Sequence, residues 1–186
     1  MKYVSLIFIL LFLSVIFSCS KKGNVVSQKS DVTEVITKLF TSCELEDMEL
    51  LSSIVAHDED MVYFGTSLAE HHVGWEEWKT SLMEQWAAID ETKIISTDLA
   101  VFISETGEVA WFSDISNWKF KINDNSMKLN NVRITGVLEK RKGRWKIVQV
   151  HASAPQGQIT AYEYFNPKYK NEIYIIDFIK LFKLKS

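Results

Sequence analysis

The sequence predicts an α+β domain in which three helices pack inside a strongly curved antiparallel sheet. Three observations carry that expectation. Residues 32–43 and 75–89 each lay their apolar side chains along one helical stripe. From Thr92 to Pro155 the pattern changes to alternation with period two. Turn signals interrupt it at Thr106-Gly107, at Asn123-Asp124-Asn125-Ser126 and at Arg141-Lys142-Gly143. A long sheet of this kind buries its apolar face by folding over the helices, which leaves a conical hollow between the layers.

Residues 1–18, MKYVSLIFILLFLSVIFS, hold one Lys and then a mostly apolar run. At about fifteen residues that run is short for a membrane span and matches the h-region of a signal peptide. Ile16-Phe17-Ser18-Cys19 resembles a bacterial lipobox, although Phe17 is bulkier than the pattern prefers. The expectation is cleavage before Cys19, acylation of Cys19, and a polar tether over residues 19–29 that holds the protein in the bacterial cell envelope, outside the cytoplasm. An uncleaved anchor and an ordinary signal peptide are the alternatives. Acylation of Cys19 leaves Cys43 as the free thiol, so no intrachain disulfide is expected.

Ser30-Asp31 offers a helix cap, and Val32, Val35, Ile36, Leu39, Phe40 and Cys43 form one stripe behind it. Cys43 on that stripe reads as a small core residue. A second short helix is expected over residues 45–55. Met61-Val62-Tyr63-Phe64 reads as a strand ended by Gly65, residues 66–74 as a loop, and residues 75–89 as a third helix carrying Trp75, Trp78, Leu82, Trp86 and Ile89. A Trp stripe of this kind can fill a core or line a cavity. Strands over 94–104, 108–120 and 127–140, with one more to Pro155, make a four-stranded antiparallel meander. Residues 156–186 form an extension that fits either an added element or a surface-seeking segment.

The last hairpin, NNVRITGVLEKRKGRWKIVQVHASAP over 130–155, is the most informative stretch. A three-residue loop Arg141-Lys142-Gly143 pairs Lys140 with Arg144, Val137 with Ile147, Thr135 with Gln149 and Arg133 with His151. Side chains then alternate into two faces. Val132, Ile134, Gly136, Leu138, Val148, Val150 and Ala152 form an apolar face. Arg133, Thr135, Val137, Glu139, Trp145, Ile147, Gln149, His151 and Ser153 form a mixed one. A loop one residue longer pairs Arg133 with Ala152 instead.

This hairpin, with Arg-Ile-Thr-Gly-Val-Leu in one strand and Gly-Arg-Trp-Lys-Ile-Val-Gln-Val-His-Ala-Ser-Ala-Pro in the next, resembles the end of a SnoaL-like domain of the nuclear-transport-factor-2-like superfamily. Its Trp-x-Ile-Val-x-x-His-x-Ser-x-Pro run also resembles the association domain of calcium/calmodulin-dependent kinases, another member. The resemblance covers about residues 31–155 and implies the cone-shaped fold of that superfamily over residues 30–155. The superfamily includes isomerases, cyclases, dehydratases and plain binding or assembly modules, so the fold alone names no reaction.

Composition narrows the function further. The 47% hydrophobic fraction includes the leader, so the remaining domain is ordinary and globular. Net charge is −3, and removing residues 1–18, whose one charged side chain is Lys2, leaves −4. That balance argues against a nucleic-acid partner.

Candidate chemistry is sparse. His57, Asp58, Asp60, His71 and His72 are of metal-ligand type, but adjacent His71-His72 point apart and no His-x-His spacing occurs, so no metal is expected. Ser153 and His151 lie about 6.6 Å apart along one strand, too far for direct activation of a nucleophile. No phosphate loop or dinucleotide fingerprint appears, and no cofactor is expected. The superfamily resemblance implies an acid–base group inside the cone, assisted by a phenol or a second acid. Asp114 and His151 are the catalytic candidates. Tyr63, Trp75, Trp78, Trp118, Arg133, His151 and Ser153 are the candidate ligand-binding residues. The reading is a lipid-anchored homodimer binding a small apolar or amphipathic molecule in its cone. The alternatives are an isomerase, cyclase or dehydratase and a purely structural assembly module.

Overall fold

In the computed structural model of the protein, residues 21–67, 69–155 and 157 are described. The expected signal peptide over 1–18, the acylation site Cys19 and, Gly157 apart, the extension over 156–186 lie outside them. Among the described residues no helix is long and apolar enough to cross a membrane.

Helix α1 spans Lys21–Leu45. The stripe from Val32 to Leu39 is buried, with Val35, Phe40 and Cys43 packed at its edge. The helix begins at Lys21 rather than at the Ser30-Asp31 cap, so the stretch read as a tether is helical from that residue. Once the buried stripe fixes a helix, each added polar residue costs little and gains a backbone bond. Glu44 ties the end of α1 to the sheet: its Oε1 accepts from the Ile94 amide and its Oε2 from Lys93 Nζ, both at 2.8 Å.

Helix α2, Met48–Ile54, is capped by Asp47, whose Oδ1 accepts from the Leu50 amide at 2.8 Å. Helix α3, Trp75–Trp86, buries Trp75, Trp78, Leu82 and Trp86 and stops three residues short of the expected end.

Among the described residues seven strands make one mixed, curled sheet: β1 (Val62–Phe64), β2 (His71–Val73), β3 (Asp90–Ser96), β4 (Ala100–Ile103), β5 (Val109–Ile122), β6 (Asn125–Arg141) and β7 (Arg144–Ser153). The order is β2-β1-β7-β6-β5-β3, with β4 also on β5. Two expectations are corrected here. The span 66–74 is not all loop, because β2 lies within it. Nor is the sheet a purely antiparallel meander, because β1 runs parallel to β7. A bridge between Val55 and Ile147 and the bond from the Ala56 amide to the Ile147 carbonyl, 2.8 Å, bring β1 onto that edge. No local pattern encodes such a long-range pairing.

The single strand expected over 94–104 is two, β3 and β4, broken at a corner. Asp114 on β5 holds the corner: its Oδ1 accepts from Ser96 Oγ at 3.0 Å and from the Asp98 amide at 3.3 Å.

The last hairpin differs from its expected register. Lys142 and Gly143 both take positive φ, 50° and 78°, which closes a two-residue turn and pairs Arg141 with Arg144. That odd shift rotates Trp145 and Ile147 onto the buried face, against the expectation that they share the mixed one. A bulge then absorbs Val148. Beyond it Val137 pairs with Gln149, Thr135 with His151 and Arg133 with Ser153. The second shift restores the expected parity, so His151 and Gln149 return to the outer face with Arg133. A further bulge on β6, with Asn131 at φ 55° and its amide bonded to Asn117 Oδ1 at 3.0 Å, interrupts the β5–β6 register beside Trp118.

Candidate functional site

The curl of the sheet leaves a hollow bounded by α1, α3 and the concave face. It has two adjoining lobes that share Cys43, Tyr63, Leu82, Ile94 and Trp118. The outer lobe, of about 80 Å3, is also lined by Glu70, Gln85, Trp86, Thr92, Phe120 and Leu129. The other lobe, of about 50 Å3, is also lined by Leu39, Phe40, Trp78, Ile134, Val150 and Ala152. Apolar walls with a few polar groups are the usual make-up of a small-molecule site.

Each polar group has a local cause. Tyr63 pairs with Val150 across β1 and β7, which aims its ring inward to stack on Trp78 at 4.6 Å and 15°. Burial pushes the Tyr63 phenol well above its ordinary range, and the Glu70 charge adds to this, so the group stays protonated and able to donate. Trp118 points its Nε1 to Ser116 Oγ at 2.8 Å, which leaves its ring free to form wall. Burial likewise pushes the Cys43 thiol up to about 12. A neutral thiol there is wall rather than nucleophile.

Glu70 is the group that sequence reasoning missed. It is 5% exposed and faces the outer lobe. Its Oε2 accepts from the Ser67 amide at 2.7 Å and from Thr66 Oγ1 at 3.2 Å, and its Oε1 from Gln85 Nε2 at 2.7 Å. The loop closes on itself through the bond from the Gly65 amide to the Glu70 carbonyl, 2.7 Å. Gly65 leaves room for this: a Cβ there would stand 2.6 Å from Glu70 Cβ and 2.7 Å from its Oε2. The signal in the sequence was a Gly five residues before a Glu with Thr and Ser between them, which is common in solvated loops. Thr92 Oγ1 is a further polar atom in the lobe, buried and without a hydrogen-bond partner among the described residues.

Concave sheet, inner helices and hollow have a counterpart in sequence: the family model of the SnoaL-like domain matches residues 32–157. The chain belongs to that family. Solved structures agree on the fold. A nuclear-transport-factor-2-like superfamily protein from Salmonella enterica is 18% identical over 70% of this chain and 92% of its own, with a TM-score of 0.61. A candidate dehydratase of the same superfamily from Streptomyces avermitilis is 18% identical over 70% and 98%, with a TM-score of 0.62. A candidate calcium/calmodulin-dependent protein kinase II association domain from Xanthomonas campestris is 18% identical over 68% and 86%, with a TM-score of 0.58. At these identities the likeness is one of fold. No curated protein matches the chain.

In this SnoaL-like domain the residues singled out from sequence divide into four places. Tyr63, Trp78 and Trp118 line the hollow. Trp75 turns its edge to Trp78 at 6.0 Å but borders a different, surface groove, where His57 stacks on it at 4.8 Å. Arg133, His151 and Ser153 lie on the outer face of the sheet, where His151 meets Phe64 edge-on at 5.6 Å. Asp114 is buried on the inner face but serves the β3–β4 corner and lines neither lobe. The histidines are dispersed: His71 stacks on Phe64 and His72 lies over Tyr63. Asp58 pairs with Arg141.

Proposed function

We propose that this SnoaL-like domain binds a small apolar or amphipathic molecule in the hollow beneath its sheet. The observation that carries this is the pairing of an open, largely apolar cavity with one anchored carboxylate, Glu70, at its wall. Each Å2 of apolar ligand surface buried there contributes about 25 cal/mol, enough for micromolar affinity with a ligand of modest size. The test is titration of the protein, labelled with 15N at tryptophan, with p-cresol. Indole N–H resonances of Trp86 and Trp118 shift saturably if the hollow is a site and stay fixed if it is not.

An acid–base reading has one specific observation in its favour: Glu70 and the protonated Tyr63 phenol line the same lobe. A carboxylate that takes a proton beside a phenol that steadies the developing oxyanion is the pairing an isomerase, cyclase or dehydratase needs. Among relatives of fold, one is a candidate dehydratase. Glu70, rather than Asp114 or His151, is the base in this reading. Turnover lost in Glu70→Gln with p-cresol binding intact would establish it.

The site belongs, in this proposal, to an exported lipoprotein acylated at Cys19 and paired as a homodimer through the outer face of the sheet. Support for the pairing comes from one row across that face, Val73, Val62, Gln149, Val137, Trp111 and Phe102. Trp111 is 45% exposed and stacks on Phe102 at 5.7 Å. Support for the anchor is the apolar run that ends at Cys19. A mature N-terminus other than a diacylated Cys19 by mass spectrometry would remove the anchor.

A further inference from the structure

The polar content of the outer lobe is one-sided in charge. Glu70 is nearly fully buried, yet among the described residues no Lys, Arg or His forms an ion pair with it. Its three donors, the Ser67 amide, the Thr66 hydroxyl and the Gln85 amide, are all neutral. Among the described residues no basic side chain lines either lobe. Buried charges in proteins are ordinarily matched by a partner, because desolvation without one is costly. A carboxylate offers about four acceptor positions, of which three are taken here by described residues.

The walls around that charge are aromatic. Tyr63, Trp86, Trp118 and Phe120 border the same lobe as Glu70. Ring faces carry negative potential and attract a cation at close range, Trp most strongly. The carboxylate and the rings therefore favour the same sign of guest. An anionic amphiphile would place a second negative charge beside Glu70, in a medium where like charges repel far more strongly than in water.

We infer that the hollow takes an organic cation: an apolar body bearing a protonated amine or quaternary ammonium, with its charge held between Glu70 and the aromatic wall. This rests on the reading of the hollow as a small-molecule site and names the ligand class. Gly65 is the positioning residue, because any side chain there displaces the Glu70 carboxylate.

The experiment compares choline with 3,3-dimethylbutan-1-ol, its uncharged counterpart of the same shape. The full-length protein, in maltoside micelles and labelled at tryptophan, is read through its indole resonances, with p-cresol as a reference ligand. Choline should bind at least about tenfold more tightly than the alcohol, less than the attraction between a carboxylate and a cation at a partly buried site is able to give. Glu70→Gln, which keeps an acceptor for Gln85, should abolish most of that preference. Equal or tighter binding of the alcohol to the wild type overturns the inference without recourse to any variant, as does a preference that persists undiminished in Glu70→Gln. If p-cresol binds while choline shows no preference, the cation assignment falls and the small-molecule reading stands. If p-cresol leaves the resonances unmoved as well, both fall.

Discussion

Gln85 Nε2 donates to Glu70 Oε1 at 2.7 Å, joining helix α3 to the loop between β1 and β2 across fifteen positions of sequence. The bond clamps the buried carboxylate at the wall of the hollow, and two consequences follow for Gln85. Gln85→Leu removes a donor to a charged acceptor and should cost about 1.5–3 kcal/mol in urea unfolding. It should also weaken ligand binding, because the carboxylate loses its orientation. An unchanged midpoint together with an undiminished preference for choline over its uncharged counterpart would show the clamp to be idle.

Gly65→Ala puts a methyl group into the space that Glu70 occupies. Its nearest contacts would be 2.6 Å, far inside van der Waals range and against a side chain already held by three bonds. The expected destabilisation is about 1–3 kcal/mol. The discriminating readout is selectivity: the variant should lose preference for choline over its neutral counterpart while still binding p-cresol.

Asp114 supplies a pH dependence. Burial raises its carboxyl above the ordinary range, against the opposing hydrogen bonds from Ser96 and Asp98. With the folded pKa above the unfolded one, the group's contribution to stability is fully present below the unfolded value, and it is lost as pH rises through the folded value. Asp114→Asn keeps a carbonyl acceptor for Ser96 and removes the titration. The variant should therefore gain on the wild type between pH 4 and pH 7 in urea melts. A stability difference that stays constant over that range contradicts the assignment.

The elements that fix the core were plain in the sequence and the ones that shape the site were not. The stripe from Val32 to Cys43, the Trp helix and the apolar parity of Val132, Ile134 and Leu138 follow from periodicity, because each reflects one residue's side of one element. The turn at Lys142-Gly143 was misjudged by a residue because Lys142 adopts a positive φ that its chemistry does not advertise. Val148 then takes up the second shift as a bulge, which no local pattern in the sequence marks. The parallel seat of β1 on β7 brings Tyr63 over the hollow, and it depends on contacts about ninety residues apart. Glu70 reads as a solvated loop charge until β2 turns back and buries it.

The outer face of the sheet predicts its own behaviour. Gln149→Glu places a charge at the middle of the row from Val73 to Phe102, twice over if two copies meet there. The wild type should elute as a dimer and the variant as a monomer. Identical monomeric elution of both would remove the proposed interface and leave the hollow untouched.

The central claim is that the space under the sheet is a binding site rather than a packing defect. Ile94 borders both lobes, so Ile94→Trp fills the hollow from within. The decisive measurement is p-cresol titration of wild type and Ile94→Trp, read at the indole resonance of Trp118. Saturable shifts in the wild type and their loss in the folded variant are the predicted result. Shifts that never saturate, or that are the same in both proteins, would contradict it.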